Sequence, residues 1–106
     1  MTATKSTGNV FADLQVKGAE QALAKAKLAH AISDIVAKQH LTQQEAARRL
    51  GIDQPKISAL VRGRLEGFSI DRLIRFLVTL DQDVDIVIKP ARRKRAPGRV
   101  NIVAVA

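Results

Sequence analysis

Cysteine is absent from the chain, so neither a disulfide framework nor a thiolate metal site can contribute to it. Tryptophan and tyrosine are absent as well, and only three Phe are present. A core must therefore come from Leu, Ile, Val and Ala, which suits small packed helices better than a β-sandwich. No apolar run approaches the ~20 residues needed to cross a membrane, and no signal-peptide pattern opens the sequence. A soluble, cytoplasmic chain without membrane contact is expected. His30 and His40 are the two histidines, and neither sits among Cys, Asp or Glu at metal-ligand spacing. Gly-rich phosphate loops and nucleophile–base patterns are also missing. The expectation is a non-enzyme with no catalytic residue, no metal and no cofactor.

Acidic residues are missing from one region only. Residues 1–88 carry 12 basic and 10 acidic side chains, a balance of +2, whereas residues 89–106 carry six basic side chains and no acid. That second stretch supplies most of the net charge of +8. Such asymmetry suits a polyanionic partner, with a solvated basic tail as the plainer alternative. At 106 residues the chain is long enough for one domain with a modest core.

Residues 1–9 are small and polar without periodicity and read as a disordered N-terminus. Val10, Phe11 and Leu14 form an apolar cluster able to dock on the core. From Ala19 to about Gln39 the sequence reads as one long helix, with Leu28, Ile32, Ile35 and Val36 on one stripe. Thr42-Gln-Gln-Glu45 reads as a capping box opening a short helix that Gly51 ends. Another helix follows Asp53 and ends at Gly63. Ser69 caps a fourth, with Ile70, Leu73, Ile74, Leu77 and Leu80 on its buried face. The period then changes. Asp83-Val-Asp-Ile-Val-Ile88 alternates as a half-buried strand does, and Val100–Val105 is a second β-prone run. The domain expectation is therefore 10–82 for the helical unit and 83–106 for a β-prone segment with a basic loop.

Within the helical unit, Pro55 stands two residues before Ile57, at a point where a helix is expected. With Asp53 as N-cap, Gln54 and Pro55 become the first two helical residues, whose N–H groups lack intrahelical acceptors anyway. Proline is tolerated there. Two short helices around a Gly turn, with Ala46, Ala47, Leu50, Ile52, Ile57 and Leu60 available to lock them together, read as a helix-turn-helix. Such a second helix enters the DNA major groove by its N-terminal residues. Gln54 can bond bidentately to adenine, Lys56 can donate to guanine, and Pro55 can touch a thymine methyl. Ser58, Arg62 and Arg64 are placed to hold phosphates. A plain αα-hairpin with a solvated polar face is the competing interpretation.

The stretch LTQQEAARRLGIDQPKISALVRG closely resembles the lambda-repressor-like helix-turn-helix of Cro/C1-type (XRE family) regulators. The resemblance implies that Gln43, opening the first motif helix, contacts phosphate and buttresses Gln54. The wider span, from NVFADL through GRLEGFSIDRLIRFLVTLDQDVDIVIKP, resembles HigA-type antitoxins. That implies a partner, a RelE-like toxin, and repression of the protein's own operon. The implied fold is mainly α: a compact four- to five-helix lambda-repressor-like helix-turn-helix domain with a short C-terminal β-strand or hairpin.

The basic run ARRKRAPGR lies outside the resemblance. Arg92, Arg93, Lys94 and Arg95 are candidates for non-specific phosphate contact, or they form a solvated loop. A two-stranded ribbon made from the flanking β-prone runs is marginal alone and invites pairing with a second protomer. The expected function is a sequence-specific, homodimeric repressor of double-stranded DNA, bound to a two-fold symmetric operator and nucleoid-associated. The alternatives are a toxin-neutralising interaction protein that does not read DNA, and a sequence-independent nucleoid binder.

Overall fold

A computed structural model describes residues 15–92 and 98–105 of the chain, with side chains from residue 18 onward. Four helices occupy the described residues: α1 (Gln15–Lys38), α2 (Gln43–Leu50), α3 (Gln54–Val61) and α4 (Ile70–Thr79). The sequence places the start of α1 at Ala19, four residues late. Gly18 is the reason: its cost of about 1 kcal/mol in a helix interior marks a boundary locally, yet the helix continues through it.

Each short helix is opened by a side-chain cap. The Thr42 hydroxyl accepts from the Glu45 N–H at 3.0 Å while the Glu45 carboxylate accepts from the Thr42 N–H at 2.8 Å, completing the capping box. Asp53 accepts from the Lys56 N–H and Ser69 from the Arg72 N–H in the same manner. All four helices end alike. The chain turns into the left-handed region at His40, Gly51, Gly63 and Asp81. The next N–H then reaches back five residues, from Leu41 to the Val36 carbonyl, Ile52 to Ala47, Arg64 to Ala59 and Gln82 to Leu77. These Schellman closures satisfy carbonyls that the helix ends leave open.

The core is one cluster beneath all four helices. Leu28, Ala29 and Ile32 of α1 meet Ala46 and Ala47 of α2, Ile57 and Leu60 of α3, and Leu73, Phe76 and Leu77 of α4. α1 packs chiefly on α4, and α2 on α3. Ala46 and Ala47 are buried at the contact between motif helices, where a larger side chain would overpack by about 1–3 kcal/mol. Phe68, in the loop before α4, closes the core edge-to-face on Phe76, and the Arg72 guanidinium lies over both rings at 5.4 and 5.5 Å.

Two expectations about the ends need correction. No fifth helix and no β-strand occur among the described residues; residues 82–91 and 98–105 lie outside any helix or ladder. Alternating apolar residues define a face, but a strand exists only through hydrogen bonds to a neighbouring strand. Here no backbone hydrogen bond joins the two segments. Val84 and Ile102 still rest on the core, and Lys27 of α1 donates to the Asn101 side chain at 3.2 Å. The polar N-terminus at 1–9 and the Val10, Phe11 and Leu14 cluster lie outside the described residues.

Candidate nucleic-acid interface

The short helix α3 is divided sharply between an inner and an outer face. Ile57 and Leu60 are fully buried, whereas Gln54, Pro55 and Lys56 in its first turn are exposed. The division follows from the cap. Asp53 holds the Lys56 N–H at 3.0 Å with its side chain, and Pro55 occupies one of the first two helical positions, so the turn closes without the missing donor. Ile57 then points inward and anchors the turn. No hydrogen bond or ion pair engages the side chains of Gln54, Lys56, Arg62 or Arg64 among the described residues. Their polar ends are available to a ligand.

Gln43 opens α2 just as Gln54 opens α3, and it too is exposed and unengaged. Ser58 is half-buried, with only part of its surface open. Arg62 caps the C-terminal end of α3, and Arg64 follows the Gly63 turn. An open groove runs along this side of the helix. Pro55, Lys56 and Ala59 line one wall, and Arg64, Glu66 and Phe68 contribute the other. The loop thus brings Arg64 to the same depression as Pro55 and Lys56, which are nine and eight positions earlier in sequence. Asp53 and Glu66 also line the groove, so two carboxylates share it with Lys56 and Arg64.

The described part of the basic tail does not line this groove. Arg92 is exposed in the C-terminal segment, and Arg93, Lys94 and Arg95 lie outside the described residues. Two arginines with positioning roles escaped the sequence reading. Arg49 donates to the Gln39 side chain at 3.0 Å and the Thr79 carbonyl at 2.9 Å, and it pairs with Asp81 at 3.3 Å. It thereby ties the end of α2 to the ends of α1 and α4. Arg72 covers Phe68, one of the residues lining the groove. In sequence both look like ordinary helix-surface cations; only the partners distinguish them.

Glu45 also answers to its surroundings. The Thr42 backbone N–H, and after it the Thr42 side chain, hold its carboxyl below the usual glutamate range, with nearby Arg48 adding a smaller effect in the same direction. A carboxylate in the first turn of α2 moreover faces the positive end of the helix.

A family model for a helix-turn-helix domain matches residues 10–89. The chain belongs to that family. A solved structure of an XRE family transcriptional regulator is 48% identical, matches with a TM-score of 0.76, and covers 83% of this chain and 99% of its own. No curated protein matches. In this XRE-type helix-turn-helix chain α2 and α3 form the motif, and α1 and α4 form its support. No helix among the described residues is long and apolar enough to span a membrane, and none of their His, Asp and Glu side chains form a group able to hold a metal.

Proposed function

We propose that the protein is a sequence-specific DNA-binding repressor that acts as a homodimer on a two-fold symmetric operator. One observation carries this reading: the first turn of α3 presents Gln54, Pro55 and Lys56 to solvent, unengaged, on a helix whose opposite face is locked into the core. A helix held that way can enter the major groove without rearranging. Gln54 has the paired donor and acceptor that match adenine N6 and N7, Lys56 donates to guanine O6 or N7, and Pro55 offers apolar contact to a thymine methyl. Gln43, Ser58, Arg62 and Arg64 hold phosphates, which sets register. A single recognition helix covers few base pairs, so specificity calls for two half-sites about 34 Å apart.

The resemblance to HigA-type antitoxins extends the proposal to neutralisation of a RelE-like toxin and repression of the shared operon. Finding a small basic toxin-like reading frame beside the gene would support this extension, and its absence would count against it.

DNA selected from a random duplex pool, and its scrambled counterpart, test the base-reading assignment. Gln54→Ala should weaken binding to the selected site by about 1–3 kcal/mol and leave scrambled DNA little affected. Arg62→Ala should weaken both DNAs alike. Equal losses on the two DNAs for Gln54→Ala would favour a sequence-independent binder instead.

A further inference from the structure

The segment Asp83-Val-Asp-Ile-Val-Ile-Lys-Pro90 is apolar in its middle and charged at its ends, with opposite signs. Val84 rests on the core, but Ile86, Val87 and Ile88 beyond it are 75%, 78% and 92% exposed. Three successive β-branched residues so exposed, without a ladder partner among the described residues, form an open strand edge. Natural edges are blunted by Lys and Pro, and here Lys89 and Pro90 blunt only the end of the run.

We infer that this edge is covered by the same segment of a second copy, in an antiparallel two-stranded ribbon centred on Val87. The charge order selects that occupant. A two-fold rotation reverses the segment, so its acidic start meets its basic end. In an extended ladder Val84, Ile86 and Ile88 share one face, the one Val84 turns to the core, and Asp83, Asp85, Val87 and Lys89 share the other. Directly opposed residues must lie on one face, which restricts the register to those with a residue on the axis. With Val87 on the axis, Asp85 opposes Lys89 twice, Ile86 opposes Ile88 twice, and Pro90 lies at the ladder's end opposite Val84. With Ile86 on the axis, Asp85 would oppose Val87. Opposite charges and β-branched pairs directly across an antiparallel ladder are the combinations that stabilise it. The ribbon is seated on both cores through Val84, so it is not a free hairpin.

This inference deepens the homodimeric part of the proposed function and does not depend on base reading. Because the chain has no cysteine, a single introduced one reports unambiguously. Opposed Cα atoms in an antiparallel pair are about 4.5–5.5 Å apart, within the ~4.4–6.8 Å that a disulfide spans. In the full-length protein under mild oxidation, Val87→Cys should form a covalent dimer at least ~10-fold faster than Ile86→Cys, whose like residues are offset. It should outpace Val103→Cys to the same degree, a site matched to it in exposure at 75%. Equal rates at the three positions, or fastest linkage at Ile86, would overturn the register.

A second set of variants needs no cysteine. Asp85→Lys and Lys89→Asp should each raise the dimer dissociation constant about tenfold in sedimentation, since each turns two attractive pairs repulsive. The double exchange should restore it to within about threefold. A double variant weaker than either single one would refute the pairing. A protein that stays monomeric yet binds selected DNA would overturn the ribbon and leave the DNA reading intact. A Val87-linked dimer that binds no selected DNA would uphold the ribbon and remove the DNA reading.

Discussion

His40 and Asp81 take the left-handed conformation that Gly51 and Gly63 take at the equivalent point of other helices, with φ of 57° and 68°. For an L-residue that region costs roughly 1–2 kcal/mol. The strain is held by the Schellman closures behind it, Leu41 to Val36 and Gln82 to Leu77, each at 3.0 Å. Asp81 recovers part of the cost through Arg49. His40 has no such compensation; it is exposed, and its side chain engages nothing among the described residues. His40→Gly should therefore stabilise the fold by about 0.5–1 kcal/mol, the relief of strain less the extra chain entropy of glycine. Thermal denaturation checks this, and an unchanged or lowered midpoint would show that the turn is not strained. The sequence places the end of this helix at about Gln39, beside His40. That it adopts a glycine-like φ was not legible, because the conformation is imposed by Leu41 and Val36 closing the turn.

Among the elements, α2 depends on its cap, since eight residues are too few to hold a helix in isolation. Thr42→Ala should destabilise the domain by about 1 kcal/mol, the usual value of an N-cap hydroxyl. The reciprocal half of the box is pH-dependent. Glu45 ionises more readily in the folded chain than in the unfolded one, so its contribution is complete above the ordinary glutamate pKa of about 4.3 and is lost as pH falls through the lower folded value. In acid titrations of stability, Glu45→Gln should flatten the loss in that window while leaving the profile near neutrality parallel. An unaltered acid limb would mean that the carboxylate is not linked to folding. α2 is in turn tied to the ends of α1 and α4 by Arg49 and Gln39, which reach the last carbonyls of α4. Caps are legible in sequence because donor and acceptor are three residues apart. The Arg49 clamp is not, because its partners lie 10 to 32 residues away.

At the scale of the whole molecule the charge is divided. The helical unit is close to balanced, and residues 89–106 contribute six of the eight net positive charges. In the proposed function the helix-turn-helix sets base preference, and a basic extension would add affinity without sequence preference. If Arg92, Arg93, Lys94 and Arg95 touch phosphates, replacing all four by Gln should reduce the slope of log K against log salt by roughly 3.6, at about 0.9 per contact. Preference for the selected site should survive, since Gln54 and Lys56 are untouched. The replacement leaves Ile86, Val87 and Ile88 intact, so the proposed ribbon should not be disturbed by it. A salt slope unaffected by the change would assign the run to solvent or to a protein partner.

Local chemistry determined most of the helical unit without help from the fold. The capping box at Thr42, the Asp53 cap that makes Pro55 acceptable, the Gly51 and Gly63 turns and the buried stripe of α1 all depend on groups within about one helical turn, so the residue order specifies them. The base-facing candidates Gln54, Pro55 and Lys56 follow from the same local logic, since their exposure is set by the burial of Ile57 and Leu60 next to them. Tertiary structure decided the rest. It carried α1 through Gly18, brought Arg64 round to the groove beside Lys56, and seated Arg72 on two phenyl rings. It also left the alternating run from Asp83 to Ile88 without a ladder, for a strand is a relation between two segments, and a pattern within one segment states only which face would be buried.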